Sequence, residues 1–269
     1  MNAHVGGDED DEESGPMLLK DKTAVIYGGS GAIGSAVART FAREGARVFL
    51  AARTPAPLER VASEIGDEGG AVEAAVVDAL DEQAVDAHAA DVAARAGGID
   101  ISFNLISHND VQGTPLAEMP FADFQQPVMT ALRTNFLTAR AAARHMIPRR
   151  SGVILMFGGY GDPMPEWNLG GLQVAFQAVE ALRRQLAGEL GRYGIRALTI
   201  QTAGIVDTIP EDFEGGAAIV EDTVRRTLLK RAATREDVAN VAAFAASDRA
   251  RSMTATAFNI TCGTVVDRG

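Results

Sequence analysis

The sequence contains a single cysteine, Cys262, among 269 residues. One thiol excludes an internal disulfide framework and suits a reducing compartment. No apolar run reaches the length of a bilayer span. The N-terminus is acidic and lacks the basic-then-apolar order of a secretion signal. These absences predict a cytoplasmic chain without membrane partners. Positive charge is also scarce: 25 Lys and Arg stand against 36 Asp and Glu, for a net charge of −11. Six of those acids are consecutive, at positions 8–13. Without them the body is only mildly acidic, and no basic patch invites nucleic acid. The sequence offers no candidate metal site.

What is present suits a globular α/β chain. Hydrophobic residues make up 46% of the sequence, ample for a core, and charged residues 23%. Residues 1–16 read as a disordered, solvated acidic tail, and residues 17–269 as one domain. Apolar strand patterns at 24–27, 47–51, 72–77, 101–106, 153–157, 196–202 and 256–261 alternate with helical patterns at 33–44, 56–64, 82–96, 121–147, 169–193 and 235–246. Seven such strands separated by six long helices predict a Rossmann-type, doubly wound parallel sheet with helices on both faces.

Residues 23–38 read T-A-V-I-Y-G-G-S-G-A-I-G-S-A-V-A, a strand, a glycine turn and a helix start. Such glycines let a ligand approach the backbone, and the helix start offers N–H groups to a phosphate. Gly28 and Gly34 anchor the pattern, with Ser30, Gly31 and Ile33 as further candidate contacts and Ala32 in place of a middle glycine. The second strand ends Ala51-Ala52-Arg53. An acid at this place would hold ribose hydroxyls, whereas Arg53 suits a 2′-phosphate, so NADP(H) is favoured over NAD(H). The alternative is a plain surface arginine. Asp78, past the third strand, suits an adenine amino group, and Asp81 reads as a helix N-cap. His108 follows the carboxyl end of a central strand, where such sheets bind ligands, and its side chain suits proton transfer near neutrality. Asn135, inside the helix 121–147, needs a hydrogen-bond partner if buried.

Taken together, the Gly28–Gly34 loop, Asp78, Asn104, Asn135, the E-L-G-R-Y-G-I-R stretch at 189–196, the segment from Gly204 to Thr208 and the tail from Asn259 to Gly263 resemble the short-chain dehydrogenase/reductase family. The resemblance covers residues 17–269. It implies a nicotinamide-binding Rossmann-type fold, commonly homotetrameric, and a small-molecule substrate. It places Thr208 at the nicotinamide carboxamide, puts Asn104 and Asn135 in the cofactor site and the proton relay, and makes 209–229 the mobile substrate loop and its helices.

The family commonly moves hydride with a Ser, a Tyr and, four residues later, a Lys. The matching positions here are Gly159, Leu172 and Phe176. No register slip restores the pair, because the chain holds only three lysines (Lys20, Lys22 and Lys230) and three tyrosines (Tyr27, Tyr160 and Tyr193), none in the required order. Leu172 and Phe176 lie four apart, hence on one helical face, and predict a drier, more apolar site. With Val179, Leu182, Leu186 and Leu190 they also read as ordinary core. Tyr160 and His108 are the candidate replacement donors, supported by Asn135. The segment 160–167 adds Asp162, Glu166 and the sole Trp. Two functions remain open: an NADP(H)-dependent reductase with a different proton donor, acting on an activated C=C or a carbonyl, or a redox-silent relative that performs dehydration or cyclisation or serves as a binding subunit.

Overall fold

The computed structural model describes residues 17–160, 166–210 and 212–266. The expectations for residues 1–16 and Asp162 lie outside the described residues. The elements run β1 (Thr23–Tyr27), α1 (Ala32–Arg43), β2 (Arg47–Ala52), α2 (Pro55–Asp67), β3 (Val72–Val76), α3 (Glu82–Ala96), β4 (Ile101–Asn104), α4 (Phe121–Arg149), β5 (Gly152–Gly159), α5 (Leu172–Leu190), β6 (Ile195–Thr202), α6 (Gly216–Arg226), α7 (Arg235–Ala246) and β7 (Thr256–Ile260). All seven strands are parallel and lie in the order β3-β2-β1-β4-β5-β6-β7. The Rossmann-type sheet expected from the strand–helix alternation is therefore present. Its order reverses between β1 and β4, and the crevice at that seam opens at the carboxyl ends of the strands.

The five inner strands are buried on two faces by alternation, whereas the edge strands β3 and β7 are only partly covered. Ala24 and Ile26 of β1 pack towards α1, α2 and α7, whereas Val25 and Tyr27 pack towards α3, α4 and α5. Helix starts follow the local side chains. Asp81 caps α3 by accepting from the amides of Gln83 (2.9 Å) and Ala84 (3.2 Å), and Thr234 with Asp237 forms a reciprocal capping box on α7. At the far end of α7, buried Arg196 donates to the carbonyls of Ala245 (2.7 Å), Ala246 (3.2 Å) and Ser247 (3.1 Å). It satisfies carbonyls that a helix end leaves open.

Three differences from the pattern reading bear on the site. β4 stops at Asn104 rather than 106, because the Asn104 Oδ1 accepts the Ile106 amide (3.0 Å) and turns the chain. β5 continues through Gly158 and Gly159, which pair with Gln201 and Thr202 of β6. α6 is a helix beyond the six read from periodicity, and it buries only Gly216. Among the described residues no helix is long and apolar enough to cross a membrane, and no cluster of metal-ligating side chains occurs.

Candidate active site

The glycine loop sits at the seam of the sheet, between β1 and α1. Gly28 has φ +84°, and a Cβ there would collide with the Leu105 carbonyl. A Cβ on Gly34 would collide with the Gly28 carbonyl oxygen. Both positions therefore require glycine, one for its backbone angle and one for the close crossing of helix and loop. Gly31 caps α1 without any side-chain hydrogen bond, so the first-turn amides, Ile33 among them, remain for an anion. Ser30 lies half-buried on the crest of the loop.

Arg53 is exposed just past β2, the neighbour of β1, and has no ion-pair partner among the described residues. Asp78 is exposed past β3. Its Oδ1 accepts from the Leu80 amide (3.0 Å), which leaves Oδ2 outward. Asn104 is committed to the protein: besides holding Ile106, its Nδ2 donates to Thr138 Oγ1 on α4 (3.2 Å). It shapes the crevice through these two bonds, which use its Oδ1 and one of the two Nδ2 hydrogens. Thr208 is exposed, and its hydroxyl donates to the Ile205 carbonyl of its own turn (2.7 Å).

A cleft of about 630 Å³ opens beyond the ends of β5 and β6. Gly159, Tyr160, Leu172 and Phe176 line one side, Trp167 and Leu169 the entrance to α5, and α6 together with Thr264, Val265 and Val266 the opposite side. The helical stripe read as core is divided. Val179 and Leu190 are buried in the core, whereas Leu172 and Phe176 face the cleft. The Phe176 ring covers Gly159, and a Cβ on that glycine would lie 2.7 Å from Cδ2 of the ring.

The candidate donors do not converge. Tyr160 lines the cleft. His108 stands behind Phe176, with ring centroids 5.9 Å apart, and is not part of the cleft wall. Burial holds its imidazole below the usual range, with Asp110 opposing, so it is neutral near pH 7. Asn135 is buried inside α4. Its Nδ2 donates to the Ala131 carbonyl of its own helix (2.9 Å), and its Oδ1 has no partner among the described residues.

Sequence reading missed a charged group on the cleft wall. Arg226 of α6 donates from Nε to Asp222 Oδ2 (2.7 Å) and from Nη1 to Glu166 Oε1, which reaches in from the segment before α5. The Glu166 carboxyl is held below its usual range by its own backbone amide and by Arg226. Glu166 and Arg226 are 60 residues apart, so no local spacing announces the pair.

Comparison with known proteins agrees with this geometry. A family profile described as "Enoyl-(Acyl carrier protein) reductase" matches residues 29–265. The chain belongs to the short-chain dehydrogenase/reductase family. That is a family of oxidoreductases, and membership implies a nicotinamide cofactor. Among curated short-chain dehydrogenase/reductase relatives, momilactone A synthase of Oryza sativa subsp. japonica is 31% identical over 244 residues, 87% of this chain and 86% of that protein. The uncharacterized oxidoreductase YxbG of Bacillus subtilis (strain 168) is 30% identical over 239 residues, 86% of each. A solved short-chain dehydrogenase/reductase from Mycobacterium marinum superposes with a TM-score of 0.82 at 26% identity, covering 94% of this chain and 98% of that one. The glycine cradle and the uncapped start of α1 fit the pyrophosphate of such a cofactor.

Proposed function

We propose that residues 17–269 form one NADP(H)-dependent reductase domain in which Tyr160 replaces the family's usual proton donor, and that the substrate is a small, largely apolar enone or carbonyl compound. The observation that carries this reading is the pairing of the glycine loop at the sheet seam with a cleft whose wall holds Tyr160 beside Leu172 and Phe176. Arg53 supports the 2′-phosphate preference, because a guanidinium next to the cradle, unpaired among the described residues, complements that group and an acid would repel it.

The bound dinucleotide supplies the reducing equivalents, and the chain's own residues do the rest. Gly28, Gly31 and Gly34 let the backbone cradle the phosphates. Leu172 and Phe176 exclude water from the cleft and so strengthen each polar interaction inside it. The Tyr160 hydroxyl donates a hydrogen bond to the acceptor oxygen and passes its proton as negative charge develops there. His108, neutral and screened by Phe176, packs that ring in place. Asn135 sits buried in α4 below the site, with its Oδ1 without a partner among the described residues. Reduction of an activated C=C fits this equipment well, since one donor on the enone oxygen suffices.

The test is titration calorimetry with NADPH and NADH, followed by NADPH oxidation over a panel of enones and ketones. NADPH should bind more tightly than NADH. Tyr160→Phe should lower the turnover by about 10²- to 10⁴-fold and leave NADPH binding unchanged. Failure of both dinucleotides to bind sinks the reductase reading. Binding with no turnover on any compound favours the redox-silent alternative, which rests on Gly159, Leu172 and Phe176 offering no titratable group.

A further inference from the structure

α6 is held to the protein by very little. Gly216 is its only buried residue, its N-cap Gly215 stands at φ +83°, and no side chain caps it. Its cleft-facing side is Ile219, Asp222, Thr223 and Arg226, positions that fall on one face of a helix. The polar contacts of this face are almost all internal: Thr223 donates to the Ile219 carbonyl (2.7 Å), and Arg225 and Arg226 both pair with Asp222. Among the described residues, the Arg226–Glu166 ion pair is the one ion pair that joins α6 to a segment outside it, and the hydrogen bond from Lys230 Nζ to the Arg225 carbonyl (3.3 Å) reaches only the chain that follows the helix. It spans the cleft, since both partners line it. Asp222 accepts from the Arg226 Nε and fixes the guanidinium so that Nη1 points at Glu166. The start of the chain after α6 is anchored by buried Thr227 and by the Leu229 amide, which donates to the Cys262 carbonyl (3.1 Å), so the Glu166 pair is the link that joins the helix itself to the segment before α5.

We propose that the Glu166–Arg226 pair is a latch that holds α6 closed over the cleft, with Asp222 as the residue that aims it. Release of the pair lets α6 swing from the cleft and admit or discharge a ligand. This rests on the cleft being the substrate site, but the latch is measurable in the ligand-free protein.

The experiment is amide hydrogen exchange of the full chain, read on peptides covering 216–226. In Glu166→Gln, 60 residues away in sequence, these amides should exchange about two- to five-fold faster than in the wild type, the range that an exposed ion pair commands. High salt should produce the same change in the wild type, by screening the pair, and should add nothing to Glu166→Gln. Peptides from α1 and β1 should be unaffected in either case. Arg226→Met serves as a second variant and should match Glu166→Gln or exceed it, because it also loses the Asp222 contact. Unchanged α6 exchange in Glu166→Gln overturns the latch, as does acceleration in Arg226→Met alone, which marks a contact internal to the helix. Neither result touches the reductase reading, which NADPH binding and turnover decide separately.

Discussion

The Phe176 ring occupies the space that a side chain on Gly159 would need: a Cβ there would lie 2.5 Å from the ring's Cε2. The two residues are sterically joined. Placing a serine at 159 therefore requires the ring to move.

Gly159→Ser alone should destabilise the protein by about 1–3 kcal/mol, the usual cost of overpacking. Phe176→Ala should be destabilising alone but should absorb most of the penalty when combined with Gly159→Ser. The coupling in a double-mutant cycle should be at least about 0.5 kcal/mol. Denaturant unfolding of the four proteins measures it. Additive effects would show that the ring does not seal the glycine.

Arg53 should set the cofactor preference. It is exposed beside the glycine cradle and unpaired among the described residues. Arg53→Ala should weaken NADPH binding by about 10- to 100-fold, the loss expected for a hydrogen bond to a charged group, and change NADH binding little. Titration calorimetry with both dinucleotides gives the answer. Equal losses for the two would assign Arg53 to the shared part of the molecule instead of the 2′-phosphate.

Two histidines should make the fold sensitive to acid. Burial holds His88 and His108 below the ordinary imidazole range, with Asp91 and Asp110 opposing. The folded chain therefore binds fewer protons than the unfolded chain once the pH drops below about 6.5. Their stability contribution is complete above that value and is lost as pH falls through the lowered folded value. Unfolding free energy plotted from about pH 7 to pH 5 should slope downward, and His108→Gln should flatten the slope. An unchanged slope would mean that His108 takes up its proton without penalty.

The fold was legible because burial on both faces of a parallel sheet writes continuous apolar runs, and the two-sided packing of Ala24 to Tyr27 is a direct case. One misplaced strand end was set by a side chain, and another by the backbone pairing of Gly158 and Gly159 with β6. Asn104 ends β4 through Ile106 and Thr138, and Thr138 is 34 residues away. α6 lies in 209–229, where the family resemblance implies helices but gives no boundaries. In the site, Gly28 and Gly34 carry a local spacing and could be read. The Gly159–Phe176 packing and the Glu166–Arg226 pair exist only once β5, α5 and α6 converge, so no run of neighbouring residues contains them. Arg196, noticed within a family stretch, proved to hold the end of α7.

Trp167 is the chain's only tryptophan, and it stands on the cleft wall next to Glu166. The intrinsic fluorescence of the protein is therefore a single-point recording of that wall, free of background from other indoles. Its emission band overlaps the absorption of a reduced nicotinamide, so a dinucleotide in the crevice would announce itself by energy transfer. Titrations, stopped-flow mixing and ligand screens can be run on the unlabelled wild-type chain, with the cleft as its own optical reporter.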